Sequence, residues 1–362
     1  MKRVAVTGIG MIDTLGNNYN DCSSSFLSDN YIDPVPYDWC PVEEYRTQKV
    51  FPVTSDLNLP DIHLKTLKTF DNNLKYGLHA VHQALQDSGV EHSNNVAVVA
   101  SNVTSGDEIM SKSVLEIHEH GRMKRPRHFL AGMKDFFPGV ICQQWEFNGL
   151  NIAMNAACAT ALFNIDYAMR IVDEYDYVVC ALSDAPINEL AVPFFTGIGA
   201  LGTRSIPFEE GRDGFIPGDG GACFILESEE RAKARGANIH AYLHPVGFGS
   251  DAHGATAPCP AGTGAKLAMK KAIAYHNIDF VCAHGTSTPL GDQVEQESIK
   301  ELLGEKEIVA PKRKIGHTMG TSGMLETIYG IMLLKHRNKP GKFLNNSFGF
   351  GGKCASQIIE VE

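Results

Sequence analysis

The chain has 362 residues, 43% of them hydrophobic and 20% charged, enough to bury one large core or two fused halves. Its formal net charge of −10 argues against nucleic-acid binding as a general role. Nine cysteines, an odd number without a CxxC pair, read as reduced thiols of a cytoplasmic protein, and no apolar run approaches the ~20 residues of a membrane-spanning helix.

Met1-Lys2-Arg3 precedes an apolar stretch from Val4 to Ile12 that imitates a signal peptide, but polar and glycine positions interrupt it and no small-residue cleavage site follows. Within it, Gly8-Ile9-Gly10-Met11-Ile12-Asp13 begins like a dinucleotide fingerprint and lacks the third glycine. His79 with His82, and His118 with His120, have spacings that could bind a metal. No third ligand accompanies either pair, so a solvated helix face is expected for each, and no metal site is expected. The local basic cluster is Arg122-Met123-Lys124-Arg125-Pro126-Arg127, which reads as a solvated loop or as a docking surface for an acidic partner, with Lys65 and Lys68 contributing.

Three strings further along carry chemistry. Asn155-Ala156-Ala157-Cys158-Ala159-Thr160 follows Gly149-Leu150-Asn151-Ile152, expected as a buried strand, and precedes residues 162–172, apolar at helical spacing. Cys158 is thereby expected at a strand-to-helix elbow, where free N–H groups and the helix dipole favour thiolate, with pKa values of ~3.5–7.5 for cysteines so placed. Ala283-His284-Gly285-Thr286-Ser287-Thr288 supplies one imidazole and Ile315-Gly316-His317-Thr318-Met319-Gly320 a second. Around His317 the design repeats: Pro311 to Ile315 reads as a strand, Gly316-His317 as a tight turn, and residues 323–334 as an apolar helix. Two such units suggest a duplicated architecture whose elbows face one cleft. A cysteine that takes up an acyl group, with two histidines to stabilise a developing enolate, is the equipment of decarboxylative carbon–carbon bond formation.

These strings, together with Arg3 to Met11, Asp71 to Gly89, Arg212 to Gly221, Ala232 to Ala237 and Asn346 to Gly352, resemble the β-ketoacyl-acyl carrier protein synthases, the elongating condensing enzymes. The resemblance covers most of the chain. It implies a thiolase-like α/β fold of two similar halves, residues 1–236 and 237–362, in a layered α-β-α-β-α arrangement, with a strand from Ile239 to Val246 opening the second. It also implies that Cys158 accepts the acyl chain and that the backbone N–H groups of Cys158 and Phe350 form the oxyanion hole. His284 and His317 would hold the malonyl thioester carbonyl, with Lys312 and Glu326 organising them. Thr286 and Thr288 would bind the pantetheine arm, and Phe350 would gate the acyl pocket. No resident cofactor is implied, since phosphopantetheine arrives on the acyl carrier protein, whose docking would use Lys65, Lys68, Lys124 and Arg125.

His317 stands where ketosynthases that start chains from coenzyme A esters would show Asn, and Cys354 lacks thiolase-type surroundings. A homodimer, or a heterodimer with a paralogous subunit, is expected. The alternative is a non-catalytic chain-length partner subunit, against which the retained Cys158 speaks. Lys335 to Lys342 replaces a longer connection of the family, a second trim lies between Gly199 and Asp213, and Lys353-Cys354 and His253-Gly254 depart from its pattern.

Overall fold

The computed structural model describes residues 3–37, 49–57, 59, 71–123, 125–126 and 128–362. Lys65, Lys68 and Lys124 lie outside them. The first half holds strands β1 Val4–Ile12, β2 Val35–Pro36, β3 Lys49–Val50, β4 Val96–Ser101, β5 Asn151–Ile152, β6 Tyr177–Asp184 and β7 Gly220–Ser228. Its helices are α1 Tyr19–Leu27, α2 Asn72–Ser88, α3 Asp107–His120, α4 His128–Ala131, α5 Phe136–Trp145, α6 Thr160–Ile171, α7 Ala191–Gly197 and α8 Glu229–Ala234. The second half holds β8 Ala241–Leu243, β9 Gly247–Ser250, β10 Phe280–Cys282, β11 Glu307–Val309, β12 Gly341–Gly349 and β13 Lys353–Val361, with α9 Thr263–Ile273, α10 Pro289–Leu303, α11 Lys312–Ile315 and α12 Ser322–His336.

The halves repeat one topology. In the first, β7 runs antiparallel to β1 and β6, and β4 runs parallel to β6 and β5. In the second, β13 runs antiparallel to β8, β9 and β12, and β10 runs parallel to β12 and β11. The short strand β8 pairs with both β1 and β13, so the two sets join into one hydrogen-bonded path. In each half the third strand in this repeat leads to a long helix, α6 after β5 and α12 after β11, and these two helices pack together. The duplicated architecture is thus present, with Cys158 and His317 ahead of equivalent helices.

Layering follows from which face each apolar residue takes. Leu162 and Ile165 of α6 and Met324, Ile328 and Ile331 of α12 share a core with Val99, Cys180 and Phe224 on one side and Phe280, Phe343 and Ile359 on the other. The opposite sheet faces carry Val98, Val179 and Ile225 against α2 and α5, and Val281, Leu344 and Ile358 against α9 and α10. Strands covered on both faces become continuous apolar runs, and a helix enclosed on all sides becomes apolar all round, as α12 is. No helix among the described residues is long and apolar enough to cross a membrane.

Four local expectations are corrected. The segment Pro311 to Ile315 is a turn of helix, because Lys314 N and Ile315 N both donate back to the Pro311 carbonyl; the strand ends at Val309. β5 is a two-residue edge strand, partly exposed, paired with β4 on one side only. The expected strand Ile239 to Val246 shrinks to β8, Ala241–Leu243, and β9 begins only beyond it, at Gly247. His79 is fully buried, with Nε2 2.6 Å from the Asn17 carbonyl, because α2 turns that position toward the loop after β1; His118 and His120 are exposed as expected.

Gly8 and Gly10 sit inside β1 and serve packing. A Cβ on Gly10 would lie 1.9 Å from the Ala80 carbonyl oxygen of α2, and one on Gly8 2.2 Å from that of Ala84. Only glycine lets helix and strand approach so closely. Gly10→Ala is expected to destabilise the protein by about 3 kcal/mol, read as an earlier transition in urea with an unchanged slope; an unaltered midpoint would disprove this account of the pair.

Candidate active site

Cys158 sits one turn ahead of the body of α6. Ala157 before it takes a left-handed φ of 49°, a conformation rare for residues with a Cβ. Gly349 makes room for that turn, since a Cβ there would come 2.5 Å from the Ala156 carbonyl, and Ser347 Oγ donates to the Cys158 carbonyl at 2.9 Å. The same backbone signature recurs at Ser287 (φ 62°) and Met319 (φ 48°), near His284 and His317. A left-handed non-glycine residue within each of the three chemistry-bearing strings marks backbone held in place by its surroundings.

The sulfur does not behave as the elbow alone suggests. Burial pushes the Cys158 thiol up to about 12, Lys312 pulls it down, and Asp184 adds to the rise. The side chain keeps a partial opening to a cavity, but protein on the remaining sides withholds the water a thiolate needs. What the geometry supplies instead is a neighbour: His317 Nε2 lies 3.1 Å from Cys158 Sγ.

His284 follows β10. Its backbone N–H and that of Gly285 donate to the two carboxylate oxygens of Glu295, both at 2.9 Å. Lys312 Nζ donates to the His284 carbonyl at 2.7 Å, faces His284 Nδ1 at 3.4 Å, and forms a fully buried ion pair with Glu326. Burial pushes the Glu326 carboxyl up to about 8 against the pull of Lys312. An ammonium can only donate, so His284 Nδ1 is left as an acceptor and the ring proton belongs on Nε2. The helical turn at α11 is what aims Lys312 inward, a placement a strand over 311–315 would not give.

His317 is anchored through its main chain, its N–H donating to the Ile216 carbonyl at 2.7 Å and its carbonyl accepting from Gly218 N at 3.1 Å. Its Nδ1 lies 2.9 Å from Ser322 Oγ, at the first residue of α12. The two imidazoles meet edge to face with centroids 5.6 Å apart, and Phe215 packs edge-on against His317 at 5.0 Å. Burial, then the charge of Lys312, lowers both imidazoles well below the ordinary histidine value. Both are neutral at pH 7 and can donate an N–H without adding charge to the site.

Cys158, His284, His317, Thr286, Thr288 and Phe350 all line one cavity of about 390 Å³. Thr286 Oγ1 and Thr288 Oγ1 are 3.0 Å apart on one wall. The Phe350 ring lies 6.5 Å from that of Phe195, across the apolar end. Lys312 and Glu326 stand behind the histidines, outside the cavity wall. Arg125 is exposed. Sequence reasoning missed Glu295, Ser322 and Asp184. Asp184 accepts from Val103 N, Thr104 N and Thr104 Oγ1, and from Thr321 N and Oγ1, joining the first half to the residue just before α12. Buried Asp292 and Glu295, three apart in α10 at helical spacing with apolar Val294 and Ile299, carried a signal for this shell: carboxylates on an inward face need partners.

A thiolase-type double fold with a cysteine at one elbow, a histidine at the pseudo-equivalent elbow and a second histidine beside it defines a condensing enzyme. Residues 1–232 match the N-terminal domain, and residues 240–343 the C-terminal domain, of the beta-ketoacyl synthases. The chain belongs to the beta-ketoacyl synthase family. It is 30% identical over 410 residues to 3-oxoacyl-[acyl-carrier-protein] synthase 2 of Vibrio cholerae, covering 99% of both chains. A beta-ketoacyl synthase from Burkholderia phymatum superposes over 100% of both chains with a TM-score of 0.88 at 25% identity. A type II polyketide ketosynthase, solved with its acyl-carrier protein and bound to a hexaketide, gives a TM-score of 0.88 at 21% identity over 100% of this chain and 99% of that one.

Proposed function

We propose that this enzyme condenses an acyl group carried on Cys158 with a malonyl group on an acyl carrier protein, releasing CO2 and a 3-oxoacyl-acyl carrier protein. The observation that carries the reading is the 3.1 Å approach of His317 Nε2 to Cys158 Sγ beside a second neutral imidazole. In the first half-reaction Cys158 Sγ attacks the acyl thioester carbonyl, His317 Nε2 takes the thiol proton, and the departing pantetheine thiolate takes it back. The carbonyl oxygen, carrying negative charge in between, is held by the backbone N–H groups of Cys158 and Phe350.

In the second, the malonyl thioester carbonyl accepts from His284 Nε2–H and His317 Nε2–H, so that CO2 departs and leaves an enolate. Its carbon attacks the acyl-Cys158 carbonyl, and the sulfur leaves as thiolate and takes from solvent the one proton that the overall condensation consumes. Donors aimed where charge develops are each worth ~2.7–4 kcal/mol. Lys312 and Glu326 orient His284, Thr286 and Thr288 bind the pantetheine arm, and Phe350 with Phe195 closes the acyl end. The phosphopantetheine belongs to the substrate, and the reaction asks for no resident cofactor. Intact-mass analysis tests this: acyl carrier protein thioester should add one acyl mass to the enzyme, and malonyl carrier protein should then discharge it as 3-oxoacyl product. Enzyme that neither gains the acyl mass nor forms product would instead fit the chain-length partner.

The carrier protein is the proposed partner, docking on Lys65, Lys68, Lys124 and Arg125, and the enzyme is proposed to act as a homodimer or beside a paralogous subunit. Exposed Val114 and Leu115 on α3 are apolar surface that pairing would cover. Reversing Lys124 and Arg125 to Glu should raise KM for the carrier-protein substrate about fivefold at low salt and leave turnover of a small pantetheine thioester unchanged. Rim charges act mainly on encounter and are screened within about 8–10 Å, so the effect should shrink as salt rises. An unchanged KM at low salt would return the cluster to an ordinary solvated loop.

A further inference from the structure

Cys158 and His317 come from different halves, so neither strand–turn–helix unit alone sets the 3.1 Å between Sγ and Nε2. A carboxylate bridges the two. Asp184, the last residue of β6 and fully buried, accepts at Oδ1 from Val103 N, Thr104 N and Thr104 Oγ1, at 2.8, 2.9 and 2.9 Å. At Oδ2 it accepts from Thr321 N at 3.1 Å and Thr321 Oγ1 at 3.0 Å, where the turn Met319–Thr321 leads from His317 into α12. These bonds hold that turn against the helix of the cysteine: a Cβ on Gly320 would lie 3.1 Å from Asp184 Oδ2 and 3.1 Å from Thr160 Cβ. Thr160 Oγ1 in turn accepts from Ala156 N at 2.8 Å and donates to the Ala157 carbonyl at 2.6 Å, which fixes the elbow under Cys158.

We infer that Asp184 is a positioning residue that sets the distance between His317 and Cys158, and thereby keeps the imidazole within reach of the thiol proton during acyl transfer. The inference rests on the first half-reaction of the proposed ketosynthase mechanism. An ionised carboxylate only accepts, on both oxygens, and here five donors from the two halves converge on it. An amide of the same size would turn an NH2 group toward donors on one side, and that side would have to withdraw. Charge acting alone predicts the opposite result. The negative charge of Asp184 helps to raise the Cys158 thiol, so removing it with the geometry unchanged would ease loss of the sulfur's proton and speed acylation. Burial lifts the Asp184 carboxyl only to about 6, which leaves it chiefly ionised at pH 7.

Asp184→Asn therefore separates the two effects by sign. Acyl transfer from an acyl carrier-protein thioester to the full-length enzyme, followed by rapid-quench intact mass, is expected to fall at least about tenfold at pH 7, because a base out of reach forfeits part of a contribution of ~10²–10⁴. The pH profile should change as well. With His317 in reach the reaction needs no standing thiolate; once it withdraws, the rate follows the thiolate fraction and climbs more steeply than wild type between about pH 6.5 and 9. The other titratable and charged groups around Cys158 are Lys312, Glu326 and His317, and Asp219 adjoins Asp184; all are retained in the variant, and the wild-type profile carries their titration too. Thr321→Val, which removes only the hydroxyl bond to Oδ2, should shift rate and slope in the same directions by a smaller factor, and it carries the test if Asp184→Asn does not fold. Wild-type enzyme that takes up no acyl group would overturn the ketosynthase reading itself. Beside an active wild type, a variant that acylates as fast or faster, or more slowly with the wild-type pH slope, would overturn the role of Asp184 alone.

Discussion

Cys158→Ala is expected to abolish acyl-enzyme formation, and peptide mapping of the wild-type acyl-enzyme should find the acyl group on Cys158. Ambient thiolate does not make this selection, because burial pushes the thiols of Cys158 and Cys354 alike up to about 12 and that of Cys142 to about 11. Cys354 lines the same cavity, yet its sulfur faces the Gly352 carbonyl, 3.8 Å away, which cannot take a proton. Cys158 has an imidazole nitrogen at 3.1 Å that can. Cys259 makes an internal control: the Thr263 hydroxyl and nearby backbone N–H groups hold its thiol below the ordinary value, and it is partly exposed. A small alkylating reagent should therefore find Cys259 readily, while the carrier-bound acyl group should not. Loss of the nucleophile lowers turnover by several orders of magnitude. Acyl label on Cys354, or an acyl-enzyme that survives Cys158→Ala, would refute the assignment.

The reactive strings were legible because each packs its chemistry into six residues: a thiol or imidazole among small side chains, just before or after an apolar segment. The halves were legible in the same way, since strand–turn–helix order is local. Sheet order was not, because β8 joins the halves by pairing with residues more than a hundred positions away on either side. Lys312 was read as an organiser of the histidines, beside which the structure places it, and wrongly as part of a strand. Pro311 and the lysines that follow suit either reading locally, and the deciding partner, Glu326, lies fourteen residues on. The thiol of Cys158 misled for a related reason. A helix start lowers a cysteine's pKa where water still reaches it, but here enclosure by both halves outweighs the dipole, and enclosure is a property of the assembled core. Ser322 and Asp184 left no local mark, as hydroxyl and carboxylate side chains matter here only through the histidine and the backbone they meet.

His284→Ala and His317→Ala should each lower malonyl decarboxylation by a factor of ~10²–10³, the cost of removing one donor to a developing oxyanion, yet they should part company in acyl transfer. If the helix start generated a standing thiolate, both variants would acylate Cys158 equally well. Because burial holds that thiol up to about 12, the proton has to be taken as the sulfur attacks, and the base in reach is His317 Nε2 at 3.1 Å. His317→Ala is therefore expected to lose at least tenfold in acylation as well, within the 10²–10⁴ range of general-base contributions. His284 points its Nδ1 at Lys312 and is tied through its backbone to Glu295, so His284→Ala should acylate within a few-fold of wild type and accumulate acyl-enzyme that cannot condense. Rapid-quench mass measurements of the acyl-enzyme, with CO2 release followed in parallel, separate the two steps. Equal acylation rates in the two variants would show that the thiolate forms without His317 and would confine that histidine to the enolate.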